Sequence, residues 1–247
     1  MNVLVLGEPE SAFRYIHAVI DARGFFFMHI PVNGLGTMPA KSTWLDSFDA
    51  VLLSDVPAVE LGVERMKALK DFVERGGGLG MVGGWWSFTG TKGEYRGTPV
   101  EDVMPVRCSP VDDRVNDPNG YKMVRTQDHF LIEGLPWHDA PTICGFNRIE
   151  PKAGAQVLLT ARRIEPVGKD RVEGVRLAEQ EHPLLVVGDH GRGRTLALAT
   201  DLAPHWVGGL VDWGAERVEL DGTEVGDLYI TFVGRMLEWL GGDGHQR

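Results

Sequence analysis

Residues 72–90 read FVERGGGLGMVGGWWSFTG, and their order decides the fold. Ahead of the glycines, Met66, Leu69, Phe72 and Val73 recur at helical spacing, with the stem of Lys70 beside them. Glu64, Arg65, Lys67, Asp71, Glu74 and Arg75 take the other side, which predicts a helix from Val63 to about Arg75. Gly76 ends it, because glycine adopts the left-handed C′ conformation without a Cβ penalty. Leu79 to Val82 is then short and apolar, as a strand covered on both faces should be. After Gly83-Gly84 the chain changes character: Trp85, Trp86, Ser87, Phe88 and Thr89 put three aromatics and two hydroxyls in five residues. In an open α/β sheet, the edge this loop leaves from is where ligands bind.

Upstream, the same grammar repeats. Val3–Leu6 reads as a buried parallel strand and Gly7-Glu8-Pro9-Glu10-Ser11 as the turn into a helix, Ala12–Arg23, ended by Gly24. Phe25–Ile30 is a second strand, Pro31–Ser42 a loop, Trp44–Phe48 a short turn and Asp49–Ser54 a third strand, with Asp55-Val56-Pro57 at its end. This is the start of a doubly wound parallel sheet. No G-x-G-x-x-G follows the first strand and no G-x-x-x-x-G-K-[ST] occurs, so no nucleotide cofactor is expected.

Downstream, Gly90–Gly120 is polar. Thr98 is placed to cap a short helix with Pro99 at its first position. Asp112-Asp113 and Asn116-Asp117 suggest either a divalent ion or a solvated acidic loop, and their spacing matches no calcium loop. Cys144–Pro151 and Ala155–Ala161 read as strands, and Arg162–Gln180 as an exposed hairpin. Pro183–Thr200 is a β-hairpin around Asp189–Arg194, in which His190 is expected to be a solvated turn residue. Asp227–Leu240 is a closing helix with Leu228, Ile230, Phe232, Val233, Met236, Leu237 and Leu240 on its apolar side. The simplest organisation is one domain over 1–242, elaborated between about 90 and 180, with a disordered tail at 243–247.

A chain of 247 residues buries enough surface to fold without disulfide or metal. Two cysteines, Cys108 and Cys144, make no C-x-x-C and no disulfide scaffold. The formal net charge of −10 argues against nucleic acid or an anionic membrane as partner. No secretory signal pattern and no apolar run of membrane-spanning length are seen, so a cytoplasmic protein is expected.

Four segments, GGGLGMVGGWWSFTG (76–90), YRGTPVEDVMPV (95–106), DHFLIEGLPW (128–137) and LLVVGDHGRGRTLALATDLAPHW (184–206), resemble the glutamine amidotransferase-like proteins of the class I glutamine amidotransferase-like superfamily. The ThuA-like trehalose-utilisation proteins share the glycine-rich strand, the H-x-x-x-x-G-L segment and the G-x-G-R hairpin. This resemblance spans nearly the whole chain. It implies a flavodoxin-like three-layer α/β/α sandwich with a mostly parallel sheet and a C-terminal β-hairpin. True amidotransferases of this superfamily use a cysteine at the strand-to-helix elbow and a late His-Glu pair. Here the elbow is Gly83-Gly84-Trp85, with no Ser or Cys between closely spaced glycines.

Candidate site residues fall in the segments that leave the strands. Asp201 and His205 sit four apart after a strand, with Trp206 beside them. They suit general acid/base work, or else Asp201 caps the following turn and His205 packs on Trp206. His129 follows Asp128; the resemblance places it near the sheet edge as a third catalytic candidate, or else Asp128-His129 opens a turn above Phe130-Leu131-Ile132. Gly84, Trp85, Trp86, Ser87 and Thr89 read either as a ligand rim or as a loop packed under a neighbour or a second subunit. Arg96 suits a carboxylate or phosphate by its planar fork, or a surface ion pair. A zinc site from His129, His205 and Asp201 lacks any supporting motif, so no metal is expected. The expected function is binding of, or action on, a small polar metabolite, a sugar or an amide, in a homo-oligomer. A catalytically inactive assembly module is the alternative and a glutaminase the third choice.

Overall fold

Four parallel pairings and four antiparallel ones build the central sheet. The computed structural model describes residues 1–168 and 171–242, apart from the side chains of His205 and Val207. The tail at 243–247 lies outside the described residues. In chain order the elements are β1 (Asn2–Gly7), α1 (Glu10–Ala22), β2 (Phe26–Ile30), β3 (Ala50–Ser54), α2 (Ala58–Leu61), α3 (Val63–Glu74) and β4 (Gly78–Val82). Next come α4 (Pro99–Val103), β5 (Val106–Cys108), β6 (Arg114–Arg125), β7 (Ile143–Asn147), β8 (Ile149–Pro151), β9 (Gln156–Val167) and β10 (Gly174–His190). The chain closes with β11 (Gly193–Leu198), α5 (Pro204–Val207), β12 (Arg217–Leu220), β13 (Thr223–Gly226) and α6 (Asp227–Gly241).

The strand order is β2-β1-β3-β4-β11-β10-β9-β6-β7. From β2 to β11 every pairing is parallel; from β11 to β7 every pairing is antiparallel. Strands β3 and β4 are buried at every position, and β1 at all but its first. That burial is why they read as apolar runs rather than alternating ones. The step from β1 to β2 runs one way across the sheet and the step from β3 to β4 the other way. Right-handed crossovers therefore put α1 and α3 on opposite faces. Helix α6 packs beside α1, and α4 beside α3, which completes the α/β/α layering. Residues Ile230, Phe232, Val233, Met236, Leu237 and Leu240 of α6 are buried as their spacing predicts.

Two local features differ in detail from the sequence reading. The hairpin turn at 189–194 is tighter, because pairing continues to His190↔Gly193 and leaves only Gly191-Arg192 outside it. The segment 144–151 is not one strand: β7 joins the main sheet, and β8 pairs with β5 in a separate two-stranded sheet. The break falls where Asn147 buries its side chain and the Arg148 N–H donates to the Asp113 carbonyl, 2.7 Å. The charged stretch 162–180 is a hairpin as expected: its described residues, 162–168 and 171–180, belong to the outer half of the β9–β10 pair, continuous with the main sheet. Among the described residues no helix is long and apolar enough to cross a membrane.

Candidate functional site

The strand order reverses between β1 and β3, and at such a switch point the loops leaving the two strands part and open a crevice. A cleft of about 1170 Å³ lies there. Its walls come from the ends of six strands or the loops that follow them: Glu8 after β1, Asn33 after β2, Asp55 after β3, Trp85 and Trp86 after β4, Asn116 on β6, and Asp201 and Trp206 after β11. Glu10 and Glu60 complete a set of five carboxylates. Among the described residues no lysine or arginine lines this cleft.

The turns that aim these groups are held in unusual backbone conformations. Gly7 has φ +104, and a Cβ there would lie 1.9 Å from the Ser54 carbonyl oxygen, so only glycine fits. The next residue, Glu8, has φ +42 and Asp55 has φ +51. Left-handed conformations at non-glycine residues cost about 1–3 kcal/mol each and cluster where surrounding bonds over-determine them. Those bonds are visible here. The Glu8 N–H donates to the Ser54 carbonyl, 3.1 Å, and the Ser54 hydroxyl donates to the Glu8 carboxylate, 2.8 Å. His29 stacks on Phe13 and holds its Nε2 2.8 Å from the Gly7 carbonyl. A carbonyl only accepts, so Nε2 carries the proton.

Asp201 is buried, and its carboxylate accepts from the Ala203 N–H at 2.8 Å. Tyr229 lies beneath, donating its hydroxyl to the Leu202 carbonyl at 2.9 Å. Burial raises the Tyr229 phenol well above its ordinary range, and the carboxylates of Asp201 and Glu8 raise it further. The charges of both carboxylates are thus felt at the same buried phenol, one from the turn after β1 and the other from the segment after β11.

The tryptophan loop is suspended from polar side chains. Asn147 accepts from the Gly84 N–H at 2.9 Å and donates to the Gly84 carbonyl at 3.1 Å. Asp55 accepts from the Trp86 N–H at 2.9 Å, and the Ser87 hydroxyl accepts from the Asp55 N–H at 3.2 Å. Asp113, 1% exposed, accepts from the Thr89 N–H, the Gly90 N–H and the Asn147 amide, at 3.0, 2.9 and 2.7 Å. Trp85 and Trp86 remain 55% and 36% exposed over the cleft.

The structure thus brings Trp85, Trp86, Asp201 and Trp206 to one cleft and places Gly84, Ser87, Thr89, Arg96 and His129 outside its lining. Ser87 is buried beneath the loop, and the Thr89 hydroxyl is spent on the Ser109 carbonyl at 2.6 Å. Gly84 serves as the clamp point of the loop rather than as cleft lining. His129 packs edge-on against Trp239 of α6, whose carbonyl accepts from Arg194 at the start of β11. That is the opposite edge of the sheet, so His129 does not meet Asp201. Arg96 lines a different cavity and donates to the Cys108 carbonyl at 3.3 Å. The backbone of His205 lies in α5, and its side chain lies outside the described residues. Asp113, read as half of a solvated acidic loop, is instead the buried anchor of the tryptophan loop. Among the described residues no group of three His, Cys, Asp or Glu side chains is arranged to hold a metal.

Neither cysteine lines the cleft. Cys108 is buried in β5; burial pushes its thiol far up from its ordinary value, and the neighbouring Glu101 and Asp113 carboxylates push it further. A protonated thiol is a poor nucleophile. Cys144 is exposed on β7. Replacing both (Cys108→Ala, Cys144→Ser) is expected to leave the affinity for any cleft ligand within about twofold, measured by calorimetric titration. A loss of tenfold or more would return thiol chemistry to this cleft.

A family model described as "putative glutamine amidotransferase" matches residues 10–218. Among curated proteins none matches. In structure, the chain is similar to cytoplasmic protein STM1381 of Salmonella typhimurium LT2, with 24% identity, a TM-score of 0.79, and coverage of 97% of this chain and 99% of that one. It is similar also to cytoplasmic protein STM3548 of Salmonella typhimurium, with 21% identity, a TM-score of 0.78, and 97% and 98% coverage. A ThuA-like protein of Bacteroides uniformis follows the same fold at 12% identity, with a TM-score of 0.58 and 97% and 90% coverage.

Proposed function

Because this chain belongs to the putative glutamine amidotransferase family yet holds no cysteine in its sheet-edge cleft, we propose that it binds and acts on a small uncharged polyhydroxylated metabolite, of the sugar class, rather than hydrolysing glutamine through a thiol. One observation carries this: exposed tryptophans and carboxylates share the cleft at the switch point. Tryptophan faces stack on the apolar faces of sugar rings, and ionised carboxylates are pure acceptors that take hydrogen bonds from vicinal hydroxyls. The same carboxylates disfavour anions, and among the described lining residues no lysine or arginine offsets them; the nearest cations, Arg114 and Lys92, lie over the Trp85 and Trp86 rings. Sugar acids and sugar phosphates are therefore expected to bind more weakly than their neutral parents. In the reaction, Glu8 and Asp201 are the groups placed to hold or move a proton at the ligand.

A melting-temperature screen tests the charge selectivity. Neutral monosaccharides, disaccharides, simple amides, sugar acids and sugar phosphates are compared at equal ionic strength. A ligand at about 100 times its dissociation constant stabilises the fold by about 2.7 kcal/mol, which corresponds to roughly 5–10 °C in a chain of this size. The expected result is a shift with neutral sugars alone. Stabilisation by the acids or phosphates, but not by their neutral parents, would overturn the assignment.

The homo-oligomer and the cytoplasmic location expected from the sequence belong to this same proposal. Both Salmonella neighbours are described as cytoplasmic. An oligomer would use the sheet edge formed by β2, where Phe26 and Met28 are 75% and 43% exposed, and would leave the tryptophans free for ligand.

A further inference from the structure

Residues 112–114 read Asp-Asp-Arg, and two of the three reach the tryptophan loop by different routes. Asp113 holds the loop's backbone through the Thr89 and Gly90 N–H groups. Arg114 opens β6 two residues before Asn116, so both side chains leave the same face of the strand. Asn116 lines the cleft. Arg114 reaches Trp85 instead: its guanidinium carbon lies over that indole ring, 4.9 Å from the centroid.

The guanidinium is itself held. Its Nε and Nη2 donate to the two Asp112 carboxylate oxygens at 3.0 and 2.8 Å, and Asp112 Oδ1 also accepts from the Arg114 N–H at 3.1 Å. These bonds keep the Asp112 carboxyl below its ordinary value, so the pair is ionised at neutral pH. The backbone under the ring is fixed separately. The Trp85 carbonyl accepts from the Thr91 N–H at 2.8 Å and the Thr91 hydroxyl at 3.0 Å, and Gly84 is clamped by Asn147. What those bonds leave open is rotation of the indole about its side-chain torsions, because a ring 55% exposed has little packing to choose its rotamer. Over Trp86 stands only the Lys92 ammonium, at 5.8 Å from the centroid, a point charge on a flexible stem.

We propose that Arg114, locked by Asp112, is a positioning residue that sets the Trp85 ring in the cleft for stacking on the ligand. A planar guanidinium over an indole face is attracted by the ring quadrupole. Trp85 lines the cleft and Arg114 does not, so the guanidinium backs the ring and the other face is left to the ligand. A ring held before the ligand arrives loses less rotamer freedom on binding, which raises affinity without any new contact to the ligand. This rests on the reading of Trp85 as a stacking ring and adds how that ring is held.

Fluorine NMR tests it, on protein carrying 5-fluorotryptophan at its seven tryptophans. The Trp85 line is assigned by its loss in Trp85→Phe. The variants are Arg114→Gln, Asp112→Asn and the two combined; unmoved lines from the buried Trp137 and Trp213 show that the fold is intact. Without ligand, Arg114→Gln is expected to shift the Trp85 line, Asp112→Asn to shift it the same way, and the double variant to match Arg114→Gln, because the two residues act as one unit. A neutral sugar that binds the wild type should bind each variant about fivefold more weakly. A Trp85 line that Arg114→Gln leaves in place would overturn the proposal, as would shifts that simply add in the double variant. So would a shifted line with unchanged sugar affinity, since the ring's setting would then not matter to the ligand. If no neutral sugar binds the wild type, the stacking reading fails and the positioning role falls with it, while the lines without ligand still decide whether Asp112 and Arg114 hold the ring.

Discussion

Asp113→Ala is expected to lower the stability of the fold by about 3 kcal/mol or more and to abolish ligand binding in the cleft. The substitution removes one buried carboxylate but orphans three donors, the Thr89 and Gly90 N–H groups and the Asn147 amide. Each buried donor left without a partner costs about 1–3 kcal/mol. Asn147 in turn holds both backbone groups of Gly84, so the loss propagates to the start of the tryptophan loop. Asp113→Asn keeps an acceptor for the two donors at one oxygen and faces the third with an amide, so its cost should be roughly half as large. Denaturant melts of the three proteins measure this. The pH dependence has a definite sign. Burial raises the Asp113 carboxyl above its ordinary value, outweighing the three hydrogen bonds that lower it. A raised folded pKa means that the folded state binds the proton first, so this group's contribution is fully present in acid and is lost as pH rises through the raised value. The wild type should therefore gain on Asp113→Asn as pH falls from neutral towards the ordinary carboxylate range. A difference that shrinks on acidification contradicts this.

Gly83→Ala should be comparably damaging, for a steric reason. A Cβ at Gly83 would lie 2.1 Å from the Ala199 carbonyl oxygen and 2.9 Å from the Asn147 side-chain oxygen. The first of these is backbone and has nowhere to go. The Ala199 carbonyl accepts from the Asn147 N–H at 2.8 Å, the Ala199 N–H donates to Leu184 at 2.7 Å, and the Gly83 N–H donates to Leu198 at 2.7 Å. Four strands, β4, β7, β10 and β11, converge on these few atoms. Overpacking at a rigid position costs about 1–3 kcal/mol and sometimes more, and here it also disturbs the Asn147 clamp. A fall in melting temperature of roughly 6–12 °C is expected, with ligand affinity lost in parallel. A variant that melts within about 2 °C of the wild type would show that the junction is softer than its geometry implies.

Much of this molecule was legible in its sequence because burial writes itself as local pattern. The apolar runs of β1, β3 and β4, the glycine after α3 and the periodic face of α6 each stated their structure directly. The position of the candidate cleft was also legible, since the tryptophan loop and the segment 201–206 both leave parallel strands at the same edge. What local pattern could not carry was partnership across long stretches of chain. Asp113 looked like one of several acids in a polar loop, yet it is anchored by residues 23 to 34 positions away. Glu8 sat in an ordinary turn until its pairing with Ser54, 46 residues on, became visible. His129 and Arg96 had the right chemistry but leave the chain at the wrong edge or on the wrong sheet, and only topology says so.

The most direct measurement of the central claim is calorimetric titration of the best neutral sugar from the screen into wild type and into a Trp85→Ala/Trp86→Ala variant. Both rings are exposed, so their removal should leave folding intact. If the cleft at the β1/β3 switch point is the ligand site, the wild type binds saturably and the variant binds at least about thirtyfold more weakly, at about 1–3 kcal/mol for each stacking ring lost. Equal affinity in the two proteins, or no neutral sugar that binds the wild type together with a melting point that rises with protein concentration, would contradict the cleft assignment and favour an assembly role.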